Sequence, residues 1–134
     1  MIAMTSHDGL RVRHPSVLVA PGQRFANLSE EIFARLLTLY GIEWTYEPVE
    51  FPLEWSENGE VIRAFRPDFY LPRERTFIEL TVLEQRLVTK KNRKVREFRA
   101  LYPELTIEVV YRNEFLAMAE RHGIDPTVVL IQAA

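Results

Sequence analysis

Between Arg66 and Val82 the chain reads RPDFYLPRERTFIELTV, two short segments of aromatic and β-branched residues joined by a turn around Pro72 to Arg75. Strand-forming residues on both sides of such a turn predict an antiparallel hairpin, and the rest of the fold must be built around it. Each segment carries one carboxylate, Asp68 and Glu79, set 79 − 68 = 11 positions apart. Successive side chains leave opposite faces of a strand. Phe65, Phe69 and Leu71 therefore share one face with Asp68 on the other, and Ile78, Leu80 and Val82 share a face opposite Phe77, Glu79 and Thr81. If each apolar set faces the core, Asp68, Glu79 and Thr81 meet on the remaining face, where two carboxylates can hold a divalent cation. The competing reading is structural, with Asp68 as a turn former after Pro67 and Glu79 as a solvated residue on a half-exposed sheet.

The flanking segments supply helices and more strands. Asn27 followed by Glu30 resembles a capping box, and Ile32, Phe33, Leu36, Leu37 and Tyr40 repeat at helical spacing until Gly41. Trp44, Tyr46, Val49, Phe51 and Leu53 read as a strand, Asn58-Gly59 as a hairpin turn, and Val61 to Leu71 as the returning strand. After TFIELTVL come a helix from about residue 87 to 102, a strand at 105–111 and a helix at about 114–122. The expected order is α, β, β, β, α, β, α, an α/β domain over residues 28–134 with its core at 28–112 and a C-terminal helix and tail at 113–134. Residues 1–27 form an N-terminal extension in which SVLVA, before Pro21-Gly22, is one extended candidate. A chain of 134 residues is enough for one hydrophobic core. It has no apolar run of bilayer length and no signal-peptide pattern at its start, so a cytoplasmic protein is expected.

With no cysteine and three scattered histidines, thiolate zinc sites and cysteine nucleophiles are excluded, and any metal must rest on oxygen ligands. Helix periodicity separates two adjacent acids: Glu30 borders the stripe through Phe33 and Leu37, whereas Glu31 falls nearly opposite and faces solvent. Glu30 is therefore a third candidate for a metal site, although it also suits a cap with Asn27. The later helix carries Arg86, Lys90, Lys91, Arg93, Lys94, Arg96 and Arg99 against Glu97 as the only acid in residues 86–99. In a chain of net charge −2 this is a concentrated positive patch suited to phosphate contacts, with Arg63 and Arg66 as further candidates. Lys91 differs from its neighbours, since it falls within the stripe of Leu87, Val95, Phe98 and Tyr102 and should point toward the sheet. Its alternative is to run past the sheet edge and snorkel to water.

The helix with SEE, the strand with PDFYL and the strand with IELT resemble the PD-(D/E)XK nuclease superfamily, whose core has the same αβββαβ order. The resemblance spans roughly residues 28–112 and is nearest in look to small endonucleases of the transposon TnsA type, of very-short-patch repair and of Holliday-junction resolution. It implies a restriction-endonuclease-like fold with a mixed central sheet flanked by helices, and Mg²⁺- or Mn²⁺-dependent hydrolysis of phosphodiester bonds in DNA. Asp68 and Glu79 would be metal ligands, Glu30 the helix acid that holds or orients metal-bound water, and Arg86, Lys90, Arg93 and Lys94 contacts to the nucleic acid. One position departs from the pattern: Thr81 stands where the superfamily has lysine. Lys91 is the first candidate to replace it, then Lys94, then Gln85. Were none of them to reach the site, the chain would be a catalytically inactive binding or assembly subunit. Cutting both strands of a duplex in step calls for two sites, so a homodimer is expected, with the arm or the TVVLIQAA tail either forming its contacts or finishing the core.

Overall fold

Asn27 opens the first helix, its side-chain oxygen accepting the backbone N–H of Glu30 at 3.0 Å, and Gly41 at φ 72° turns the chain away after the last turn. In the computed structural model, which describes residues 25–82 and 85–125, the elements follow in the order α1 (Leu28–Leu39), β1 (Thr45–Tyr46), β2 (Phe51–Trp55), β3 (Val61–Phe65), β4 (Phe69–Leu71), β5 (Thr76–Thr81), α2 (Gln85–Leu101), β6 (Thr106–Tyr111) and α3 (Arg112–Arg121). SVLVA, Pro21-Gly22 and TVVLIQAA lie outside the described residues. Phe25, which the sequence boundary leaves in the extension, packs on Trp44, Tyr46 and Phe69. No helix among the described residues is long and apolar enough to cross a membrane.

The result is one small α/β domain with a mixed four-stranded sheet in the order β1-β4-β5-β6. The first two pairings are antiparallel, and β5 and β6 run parallel with α2 as the crossover that a parallel pair requires. Strand β5 is buried along its whole length because both faces are covered. On one side Phe69, Leu71, Ile78 and Leu80 pack with Ile32, Phe33, Leu36 and Leu37 of α1 and Phe115 and Met118 of α3. On the other, Phe77 and Ile107 pack with Val95 and Phe98 of α2 and with Leu53 and Phe65.

Three expectations are corrected. The segment from Trp44 to Leu53 is not one strand: Trp44 precedes β1, Val49 lies exposed in a loop, and Phe51 and Leu53 belong to β2 in a separate two-stranded sheet. The returning strand Val61 to Leu71 is also broken, β3 pairing with β2 and β4 with β1 and β5. Pro67 causes the break, since it has no N–H for a ladder and restricts the residue before it. Phe65 therefore does not share a face with Phe69 and Leu71, but packs with Phe77 and Phe98 in the other cluster. The helices shift by only a residue or two, α2 starting at Gln85 and α3 at Arg112.

Candidate functional site

The break at Pro67 delivers Asp68 to the end of β4, beside Glu79 of β5. Each of the two residues is bonded to the other's strand: the Leu80 N–H donates to Asp68 Oδ2 at 2.8 Å, and the Asp68 N–H donates to Glu79 Oε1 at 3.2 Å. Asp68 is 5% exposed and Glu79 3%, so the solvated-sheet reading of Glu79 does not hold. Both faces of the sheet are covered, and these carboxylates sit under α2.

Lys91 comes down from α2 onto this pair. Its ammonium donates to the Leu80 carbonyl at 2.7 Å and stands 3.1 Å from Glu79 Oε2 and 3.8 Å from Asp68 Oδ2. The helical stripe thus directs this lysine inward. Thr81 is 2% exposed, and its hydroxyl has no hydrogen-bond partner among the described residues. Lys94 instead donates to the Ala64 carbonyl at 3.3 Å. Gln85 and Arg86 open α2, and their side chains lie outside those described.

Glu30 is both capped and turned inward. Its backbone N–H is capped by Asn27, while its carboxylate turns into the cleft at 4% exposure. Oε1 accepts from the Tyr46 hydroxyl and from the Ala26 N–H at 3.2 Å, and the Tyr46 oxygen in turn accepts from Ala26 at 2.9 Å. Glu31 points outward and pairs with Arg35 at 3.0 Å.

Glu47 completes the set, and nothing in the sequence singled it out. It has φ 43°, a left-handed conformation that costs a glutamate roughly 1 kcal/mol or more. Its N–H donates to the Asp68 carbonyl at 2.8 Å and its carbonyl accepts from Arg66 at 3.1 Å, which locks the strained residue against the site. Glu30, Glu47 and Asp68 each offer a carboxylate oxygen, and these atoms lie within 4.8 Å of one another. Oxygens on opposite sides of Mg²⁺ are about 4.2 Å apart, so small side-chain rotations would bring this hard-donor set to such an ion.

These groups line a cleft of about 400 Å³, with Glu30, Glu47, Asp68 and Glu79 facing Arg66, Lys90, Lys91 and Lys94. Crowded carboxylates resist ionising. Burial, then the Asp68 charge, pushes Glu30 up to about 7, and burial, then Glu79, pushes Asp68 up to about 7. Burial also raises Glu79, with the Lys91 ammonium opposing the rise. Burial works against the charge of Lys91, but Glu79 and Asp68 outweigh it and hold its pKa above the ordinary value. Burial and the Glu30 hydrogen bond raise Tyr46.

The rest of the expected nucleic-acid surface divides. Lys90 and Lys94 stand at the cleft, whereas Arg93 is well exposed and 3.9 Å from Glu97. Arg63 is committed to Glu97 at 2.6 Å and Glu54 at 2.9 Å, so it is less available to a backbone than its sequence position suggests. No protein-family model matches the chain, and comparison with curated proteins and with solved structures gives no match.

Proposed function

We propose that the protein is a metal-dependent endonuclease hydrolysing phosphodiester bonds in DNA, built on a restriction-endonuclease-like core. The observation that carries this reading is the Lys91 ammonium on the Asp68–Glu79 pair, at the mouth of a cleft that also gathers Glu30 and Glu47. A strand lysine at position 81 would deliver a cation to this same pair, and Lys91 would take that part from α2.

Asp68 would be the shared ligand, with Glu30 and Glu47 on one side of it and Glu79 on the other. A bound Mg²⁺ or Mn²⁺ would polarise a phosphoryl oxygen and supply a water of lowered pKa. Lys91 would hold its positive charge beside the reacting phosphate, offsetting the negative charge that develops there. Glu30, tied through Tyr46 to the backbone of Ala26, would hold or orient the attacking water beside the ion. Arg66, Lys90 and Lys94 would draw the phosphate backbone to the mouth.

The test is cleavage of labelled duplex, branched and single-stranded DNA with Mg²⁺ or Mn²⁺, alongside the melting temperature with and without the ion. Loss of both cleavage and the metal-induced rise in Asp68→Ala supports the nuclease reading. DNA binding without cleavage or any metal effect in the wild type would leave the inactive-subunit reading in its place.

A further inference from the structure

Helix α2 has two working faces. Leu87, Lys90, Lys91 and Lys94 face the cleft. At 100° per residue, Asn92, Val95, Arg96 and Arg99 fall on a different face, turned toward β6. There they line, with Val109 and Tyr111, an open groove of about 210 Å³.

The chemistry of this groove is one-sided. Two guanidinium groups line it, and no carboxylate does so among the described residues. Arg99 spends one N–H on the Ile107 carbonyl at 2.9 Å, which anchors it and leaves other donors of its five. Arg96 makes no ion pair or hydrogen bond among the described residues. The Tyr111 hydroxyl bonds Asn92 Oδ1 at 3.0 Å, so the amide N–H groups of Asn92 remain available. Glu97, the one acid in this stretch of helix, is held on another face by Arg63. Arg96 and Arg99 are both exposed, so they would meet a phosphate as solvated donors, with Val95 and Val109 forming the floor between them.

We infer that the Arg96–Arg99 groove is a phosphate subsite, taking a backbone phosphate a few steps along the strand from the one in the Lys91 cleft. This rests on the nucleic-acid reading of that cleft. A forked guanidinium pair matches the oxygens of a phosphodiester, and the volume admits one phosphate with part of its sugar but not a base pair. Eight residues at about 1.5 Å of rise put Arg99 roughly 12 Å along the helix from Lys91. That is on the order of three to four steps of duplex at ~3.4 Å per phosphate on one strand. The subsite therefore sets the direction in which the strand leaves the cleft, over α2 toward the β6 edge.

Fluorescence anisotropy of labelled DNA across a salt series, with wild type, Arg96→Gln, Arg99→Gln and the double variant, tests the inference. Gln at position 99 keeps a donor for the Ile107 carbonyl, and melting temperatures verify folding. If both arginines hold one phosphate, each single variant weakens binding, and the double variant lowers the slope of log K against log salt by about one in total, at ~0.9 per phosphate. A fall of about two would mean two independent surface contacts, and no fall would mean no contact; either overturns the subsite, as does a wild type that binds no DNA. The metal-induced rise in melting temperature and its loss in Asp68→Ala, measured in parallel, judge the cleft separately from the slope.

Discussion

Replacing Lys91 by Met removes the ammonium lying between two buried carboxylates while keeping most of the apolar stem. Removing one partner of a buried pair costs about 3–5 kcal/mol when the other stays charged. The Lys91 side chain is 24% exposed, so water screens part of the interaction, and about 2–3 kcal/mol is expected at pH 8. The carboxylates can escape by binding a proton. Asp68 and Glu79 are already raised by burial, and loss of the ammonium raises them further. Acids raised in the fold contribute stability that is complete below their unfolded pKa, near 4, and lost as pH climbs through the folded value. The difference between wild type and Lys91→Met should therefore be small at pH 5 and reach full size by pH 8. Urea unfolding of the metal-free proteins at pH 5, 6.5 and 8 reads this directly, and the melting temperature should fall by about 8 °C at pH 8. An equal loss at pH 5 and pH 8, or less than about 0.5 kcal/mol at pH 8, would refute the argument by making the contact an ordinary solvated pair.

Asp68→Asn keeps an acceptor for the Leu80 N–H but removes a charge that burial disfavours. It should match or exceed wild-type stability without metal at pH 8, yet show no metal-induced rise in melting temperature, and a large loss of metal-free stability would contradict this. Glu30 and Asp68 titrate near 7 in the fold against ordinary values of 4.5 and 3.8, so the metal-free wild type should lose stability from pH 5 to pH 8. Millimolar Mg²⁺ should flatten that fall, and urea midpoints across the range with and without the ion test both statements. Tyr46→Phe deletes the hydroxyl shared by Glu30 and Ala26 and should cost about 1 kcal/mol. Because the Tyr46 bond holds Glu30 down, its loss should also move the Glu30 titration higher, which carboxyl carbon NMR would detect. Phe98→Ala, in the aromatic cluster with Phe51, Phe65 and Phe77, should cost about 3–5 kcal/mol and leave metal binding to any remaining folded protein.

Sequence pattern was most informative where one periodicity ran unbroken. The stripe through Phe33 and Leu37 located α1 and turned Glu30 inward, and the stripe through Val95 and Phe98 gave Lys91 its direction. The hairpin around Pro72 to Arg75 brought Asp68 opposite Glu79 because a short turn leaves little freedom of register. Tertiary partition was not legible. Apolar residues at Tyr46 and Phe51 fit one strand as well as two, and only the packing of Phe51 on Phe98 and of Tyr46 on Phe69 shows that they serve different sheets. Glu47 fell within that misread strand. A glutamate before Pro48 in the acidic, loop-like stretch to Glu50 carries no periodic signal, and its left-handed backbone depends on the distant partners Arg66 and Asp68.

Under the proposed metal-dependent reading, the strained loop at Glu47 would couple cation affinity to a local folding equilibrium. This carboxylate hangs on two backbone hydrogen bonds, to Asp68 and Arg66, and can leave the site by an opening that spares both hydrophobic clusters. Only the closed fraction presents all three oxygens, so the apparent dissociation constant for an ion is the intrinsic one divided by that fraction. Binding an ion and ordering this loop would then be a single event. Hydrogen exchange at the Glu47 amide should slow as the ion is added, in proportion to its occupancy, while amides in β5 keep their rates.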